Sequence, residues 1–155
     1  MARVRRQLPD VAWRTTFIVG FPTETDQDFE ELVDFVSEGH FQHLGIFLYS
    51  DEDNIRSSKF GDPIPLSLKE ERKNRLMEIQ QKISREHHQK MVGSLQQVLV
   101  GGFSSETDLL LEGRNQYQGP EVDGVVYINE GNATSAGFHQ VEITEAHEYD
   151  LVGKI

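Results

Sequence analysis

The pattern of apolar positions changes character at about residue 91. Before that point apolar runs alternate with helical stripes. Val11 to Gly20 is rich in β-branched and aromatic residues and almost wholly apolar at its end, which predicts a strand buried on both faces. A turn follows, Gly20-Phe21-Pro22-Thr23-Glu24-Thr25. Thr25 with Asp28 three residues on predicts a capping box. Phe29, Leu32, Val33 and Val36 then recur at helical spacing, and Gly39 supplies a stop. Phe41 to Tyr49 predicts a second strand. Ser50 to Leu66 reads as a polar loop with Gly61, Pro63 and Pro65. Ser67 with Glu70 reads as a second capping box, opening a long helix to about Met91 with a narrow apolar stripe of Leu76, Ile79 and Ile83. Strands separated by helices of this length pair in parallel through helical crossovers.

After Gly93 the pattern is short and strand-like. Leu95 to Val100, Leu109 to Glu112, Gly124 to Ile128, Phe138 to Thr144 and Asp150 to Ile155 are strand candidates separated by glycine-bearing turns. Such spacing predicts a small antiparallel barrel or sandwich. The expected domains are therefore 1–91 and 92–155. The second can close on itself. The first has too few strands to cover a parallel sheet, so it reads as the last two units of a larger α/β layer or as a protein with a partner along that edge.

Composition narrows the chemistry. The 155 residues carry 26 acidic and 15 basic side chains, a formal net charge of −11, and no cysteine. Within this chain that excludes disulfides, thiolate zinc sites, thiol nucleophiles and cysteine-ligated iron–sulfur clusters. No apolar run approaches the roughly 20 residues of a bilayer span, and no apolar segment follows the basic start. A cytoplasmic protein without membrane contact is the expectation. The charge is unevenly spread: residues 1–91 have a net of −3 and residues 92–155 a net of −8. The second value disfavours nucleic acid and favours a basic protein. Glu142, Glu145, Glu148 and Asp150 are its densest cluster. Solubility alone is the bland account of the same charge.

Several segments carry a family resemblance. Arg14-Thr15-Thr16-Phe17-Ile18-Val19-Gly20-Phe21-Pro22, followed by Glu24-Thr25, resembles a late barrel strand and its loop in the radical-SAM methylthiotransferases. Leu44-Gly45-Ile46-Phe47 with Tyr49-Ser50 resembles the next strand, and Glu70 to Ser84 the last barrel helix. Residues 92–155 resemble the closing TRAM domain. Gly113-Arg114, Pro120 to Val126 and Tyr149 to Gly153 resemble the branch that modifies a ribosomal protein, the RimO type. The resemblance runs from about Leu8 to Ile155. It departs at Thr23, where the family usually has glycine, and at Asn54-Ile55, where it usually has Gly-Thr.

The fold implied is the last two β/α units of an incomplete radical-SAM, TIM-like barrel followed by a five-stranded antiparallel, OB-like TRAM β-barrel. The function implied is that of a transferase adding a methylthio group to the β-carbon of an aspartate in a basic small-subunit ribosomal protein, with the TRAM domain recruiting it. The alternatives are the tRNA-modifying sibling and a non-catalytic protein-binding module. The family uses S-adenosylmethionine and two 4Fe–4S clusters. The cluster cysteines are expected before Met1, in an N-terminal half that this chain needs as a partner, so the chain alone is expected to be inactive.

The candidate sites follow. Gly20-Phe21 ends a strand ahead of a helix, where α/β folds place ligands. The resemblance implies partial S-adenosylmethionine contacts from Arg14, Ile18, Gly20 and Phe21. Tyr49 and Ser50 line the same mouth or simply pack. Glu24 reads as a helix-dipole residue. Arg114 either pairs internally with Glu121 or Asp123 or orients an acidic group on a partner, and Glu121 and Asp123 are the best candidates for touching a basic target. No catalytic residue and no metal ligand is expected here. His40, His43, His87 and His88 read as ordinary surface histidines, and Asn132-Ala133-Thr134 as a sequon without a leader segment to give it meaning.

Overall fold

The computed structural model describes residues 2–52, 56–105, 107–131 and 136–155. Its contacts divide into two units, Ala12–Ile83 and Met1–Val11 with Ser84–Ile155. The Asn54-Ile55 departure and the Asn132-Ala133-Thr134 sequon lie outside the described residues. Among the described residues no helix is long and apolar enough to cross a membrane.

In the unit Ala12–Ile83, strand β1 (Arg14–Val19) pairs in parallel with β2 (His43–Leu48), with Arg14 opposite His43 and Val19 opposite Leu48. Helix α2 (Asp26–Ser37) connects them. It starts where the side chains dictate: Thr25 Oγ1 accepts from the Asp28 amide at 3.1 Å, and the Asp28 carboxylate accepts from the Thr25 amide at 2.9 Å. The apolar stripe of α2 lands on one sheet face. There Phe29, Val33 and Val36 bury with Val19, Leu44, Ile46 and Leu76. Leu76 belongs to helix α3 (Leu66–Gln89). Between β2 and α3 lies a short 3-10 turn, Arg56–Phe60.

The start of α3 corrects the expected second capping box. Ser67 is the second residue of the helix rather than its cap. Pro65 precedes the helix, and its carbonyl accepts from the amides of Leu68 and Lys69 at 3.1 and 3.2 Å. A proline has no amide to satisfy, so it opens a helix without help from a hydroxyl. The opposite face of the sheet has no such cover within its unit. Ile18 and Phe47, cross-strand neighbours, are 58% and 63% exposed.

The other unit holds helix α1 (Ala2–Gln7) and five strands: β3 (Leu95–Phe103), β4 (Leu111–Asn115), β5 (Val126–Glu130), β6 (Gly137–Ala146) and β7 (Leu151–Lys154). They close in the order β3-β4-β5-β7-β6. Val98, Val100, Val126, Ile128, Val141, Ile143 and Leu151 fill the interior. The expectation of an antiparallel barrel fails in one respect, because β5 and β7 run parallel. The reason is parity. Direction reverses at every antiparallel contact, so an odd number of strands cannot return to its starting direction around a ring. One of the five contacts must be parallel.

The end of α3 is tied to the β6–β7 turn within this unit. Ser84 Oγ donates to the Glu148 carbonyl at 2.6 Å, Arg85 pairs with the Glu148 carboxylate at 3.0 Å, and His88 Nδ1 meets the His147 carbonyl at 3.0 Å. His88 is buried, so it is not the surface histidine its sequence context suggests. His87 is half-buried, and that burial lowers its pKa, with Lys90, His88 and Arg5 adding to the effect.

Two predictions follow from the first unit. Replacing Leu76 by alanine leaves a cavity at a fully buried position and costs about 2–5 kcal/mol, read as a lowered urea midpoint with unchanged slope. The second concerns acid. Hydrogen bonds from Thr25 hold Asp28 below its ordinary pKa of 3.8, and the Arg75 guanidinium holds Glu30 below 4.5. A depressed carboxylate stabilises the fold above its unfolded pKa and stops doing so as pH falls through its folded value. Melting temperature therefore drops on acidification below about pH 4.5, and Glu30→Gln shows a shallower drop than the parent. Superimposable pH profiles for the two proteins would refute this.

Candidate functional site

Two places bring chemically capable side chains together, one in each unit. The first is at the C-terminal ends of β1 and β2. Gly20 follows β1 with φ of 78°, a backbone conformation that favours glycine. Its amide donates to Glu24 Oε2 at 3.0 Å. Glu24, nearly buried, pairs with Arg72 at 2.5 Å, and Arg72 also reaches Asp26 at 2.6 Å. Arg72 is 3% exposed. One turn earlier on the same helix face is Lys69, 2% exposed. Its ammonium donates to the Tyr49 carbonyl at 2.8 Å and pairs with Asp62. It also lies 5.4 Å from the centre of the Tyr49 ring. The Lys69 stem rests on Gly20 so closely that a Cβ there would collide with its Cγ and Cδ.

These contacts define the role of each expected residue. Gly20 holds the close packing of Lys69, and its amide is occupied by Glu24. Glu24 is a bridging carboxylate between a backbone amide and a buried guanidinium, a larger task than facing a helix dipole. Phe21 stacks edge-to-face on Tyr49 at 5.3 Å and on Phe60 at 6.2 Å, forming a half-open aromatic rim. The Tyr49 hydroxyl is buried without a hydrogen-bond partner among the described residues. Ile18 stands on the exposed sheet face two residues before Gly20. Arg14 is at the other end of the strand, about 20 Å from Gly20 at the usual rise per residue. Arg14 and Phe21 are therefore at opposite ends of β1. Lys69 and Arg72 were not legible as site residues, because the Tyr49 carbonyl and the Glu24 carboxylate that hold them are 20 and 48 residues away in sequence.

The second place is on the barrel. A shallow groove of about 390 Å³ is lined by Leu99, Glu112, Arg114, Pro120, Glu121 and Asp123, among others. The three expected target-binding residues thus border one groove. They differ in state. Asp123 Oδ2 accepts from the Gly119 amide at 2.6 Å and so ties the loop together. Glu121 is exposed, with φ of 63°, the one described non-glycine residue in that region. Arg114 is exposed and makes no ion pair with Glu121 or Asp123 among the described residues. The densest acidic cluster, by contrast, is largely engaged. Glu142 pairs with Lys154 at 3.4 Å, Glu145 lies 3.9 Å from His147, Glu148 pairs with Arg85, and Asp150 Oδ1 accepts from the Val125 amide at 2.8 Å.

Comparison with known proteins finds similarity along both units. Residues 92–155 match the TRAM domain model. Over its whole length the chain is 48% identical to the ribosomal protein uS12 methylthiotransferase RimO of Anaeromyxobacter sp. (strain K), of which it covers 33%. The corresponding protein of Bdellovibrio bacteriovorus is 48% identical over 155 residues, with 34% of it covered. That of Aquifex aeolicus is 43% identical over 97% of this chain, with 35% covered. Along its whole length the chain is similar to the RimO methylthiotransferases. It spans about a third of the length of these relatives, and that third is their C-terminal one. The closed five-stranded mixed barrel fits the TRAM assignment.

The strand-end packing is open to a direct test. Gly20→Ala forces an L-residue to φ of 78° and into the Lys69 stem, so it destabilises by more than about 1 kcal/mol. Lys69→Ala removes the obstacle, so the double variant loses less stability than the two single losses together. Additive losses in urea titrations would show that the two residues do not press on one another.

Proposed function

We propose that the chain is the C-terminal part of a RimO-type methylthiotransferase. In this reading the unit Ala12–Ile83 supplies the last two β/α units of a radical-SAM barrel. Its exposed sheet face, with Ile18 and Phe47, belongs to the interior of that barrel, and the strand end at Gly20 and Phe21 completes an S-adenosylmethionine site. The single observation that supports this most is that similarity to the RimO proteins extends along the entire chain. The uncovered apolar face of β1 and β2 agrees with it.

The residues present suit an apolar edge of the cofactor. Ile18 offers a flat aliphatic surface for an adenine ring. Phe21, held against Tyr49 and Phe60, gives a rigid rim. Gly20 offers shape rather than a donor, since its amide is already bonded to Glu24. S-adenosylmethionine, when bound, is the source of the radical chemistry and of the methyl group. This chain's residues orient it and keep water from one side. Arg14, at the far end of the strand, would take a distant carboxylate or phosphate rather than the adenine. The chain has no cysteine, so the two 4Fe–4S clusters of the family would be held by other residues of the full enzyme.

The barrel's part is recruitment. Its net charge of −8 matches a basic small-subunit ribosomal protein and opposes an RNA backbone, which argues against the tRNA-modifying sibling. A cytoplasmic location goes with such a partner.

A chimera decides between the readings. The N-terminal two-thirds of the Anaeromyxobacter relative is fused to this chain and incubated with uS12 and S-adenosylmethionine. The expected product is uS12 heavier by one methylthio group. Ile18→Asp in the same chimera raises the KM for S-adenosylmethionine by about tenfold, since it places a charge against an apolar ring. A folded chimera that modifies tRNA and leaves uS12 untouched would establish the sibling. One that binds uS12 without turnover would leave only a protein-binding module.

A further inference from the structure

The outer face of the barrel carries an ordered row across three adjacent strands. Phe138 of β6 is the register partner of Leu99 of β3, and Leu99 is the register partner of Arg114 of β4. Register partners in antiparallel strands share a face, so these three side chains stand side by side. Their neighbours in sequence confirm the orientation: Val98 and Val100 are interior, as is Val141 three residues after Phe138. Phe138 is 70% exposed. Leu99 and Arg114 continue the row into the groove, where Glu112 and Glu121 stand beside them.

Charge separates this strip from the rest of the barrel. Glu112, Arg114 and Glu121 carry no side-chain hydrogen bond or ion pair among the described residues, whereas Glu142, Glu148, Asp123 and Asp150 are all engaged elsewhere. Arg114 and Lys154 are the only two cations among residues 92–155, and Lys154 is paired with Glu142. Among residues 92–155 the one described cation without a partner therefore borders the same groove as two carboxylates without partners, with an aromatic ring two strands away.

We propose that this strip reads a polypeptide segment in which one carboxylate is flanked by cations. Glu112 and Glu121 take the flanking cations, Arg114 takes the carboxylate, and Phe138 with Leu99 takes an adjoining apolar side chain. Arg114 is the specificity residue. Two carboxylates alone would accept any basic segment. A guanidinium in the same groove repels a segment that is cationic throughout and rewards one with an acidic residue in register. Glu121, at positive φ, projects its carboxylate from the loop over the same groove. The strip deepens the recruitment role proposed above and rests on it.

The test uses the full 155-residue chain and two probes: a short lysine-rich peptide with one central aspartate beside a leucine, and its asparagine twin. The parent chain binds the aspartate peptide about tenfold more tightly, the value expected of one charge-assisted hydrogen bond. Arg114→Gln abolishes that preference, and Arg114→Lys retains part of it because the charge remains but the fork is lost. Phe138→Ser weakens both peptides equally. Glu112→Gln with Glu121→Gln weakens both and flattens their salt dependence. Arg114, Glu121 and Phe138 are exposed and Glu112 is half-buried, and unchanged melting temperatures certify the folds. An undiminished aspartate preference in Arg114→Gln, or no preference in the parent, overturns the proposal. Titration with uS12 separates the two levels. Binding of uS12 that is indifferent to Arg114 refutes the strip and leaves recruitment standing. Failure to bind uS12 or either peptide refutes both.

Discussion

A buried ammonium must find partners, and in this protein that requirement organises a whole strand end. Lys69 lies in the interior of its unit with 2% of its surface exposed, so its charge is tolerable only because the Tyr49 carbonyl and the Asp62 carboxylate surround it. The stem that carries the charge there has to cross Gly20, and no larger residue would let it pass. Arg72, one turn on, acts on the same turn from the other side, through Glu24 and the Gly20 amide. The loop after β1 and the loop after β2 are thereby held to one helix by charges that water cannot easily screen.

The barrel solves a different problem. Its core cluster is aliphatic, the buried polar side chains beside it, Ser104, Asn115 and Gln118, are uncharged, and its charged groups are free to act at the surface. Many are used to secure turns. Asp123 ties Gly119, Asp150 ties Val125, and Glu148 takes Arg85 while its carbonyl takes Ser84. What remains unengaged is a smaller set, part of it gathered at one groove. Net charge therefore overstates the surface offered to a partner. The location of the unpaired groups is the more informative quantity.

Much of this was legible in the chain of letters. Thr25 and Asp28 do form the capping box their spacing announces, because such a box depends only on residues three apart. All five barrel strands fall near their expected places, since glycine punctuation and β-branched runs are local signals. What was not legible depended on partners distant in sequence. Ser67 looked like a cap until Pro65 took the position. Lys69 and Arg72 did not stand out because nothing local reveals Gly20 or Glu24 lying across from them. His88 looked exposed because its partner, the His147 carbonyl, is 59 residues away. That a closed ring of five strands contains a parallel contact follows from counting alone, but that the ring closes and that β5 and β7 make the contact took the structure.

That same contact has a kinetic side. β7 follows β5 and β6 in the chain yet lies between them in the ring. Until those four residues arrive, β5 and β6 each have one row of peptide groups with nothing to pair against, and the ring stays open. Closing the ring pairs Val126 with Leu151 and, farther apart in sequence, Leu95 with Glu142, and such steps are slow because the entropy of the intervening loop is lost before any contact rewards it. The strand that contributes the fewest residues to the barrel is the one without which the ring has a gap.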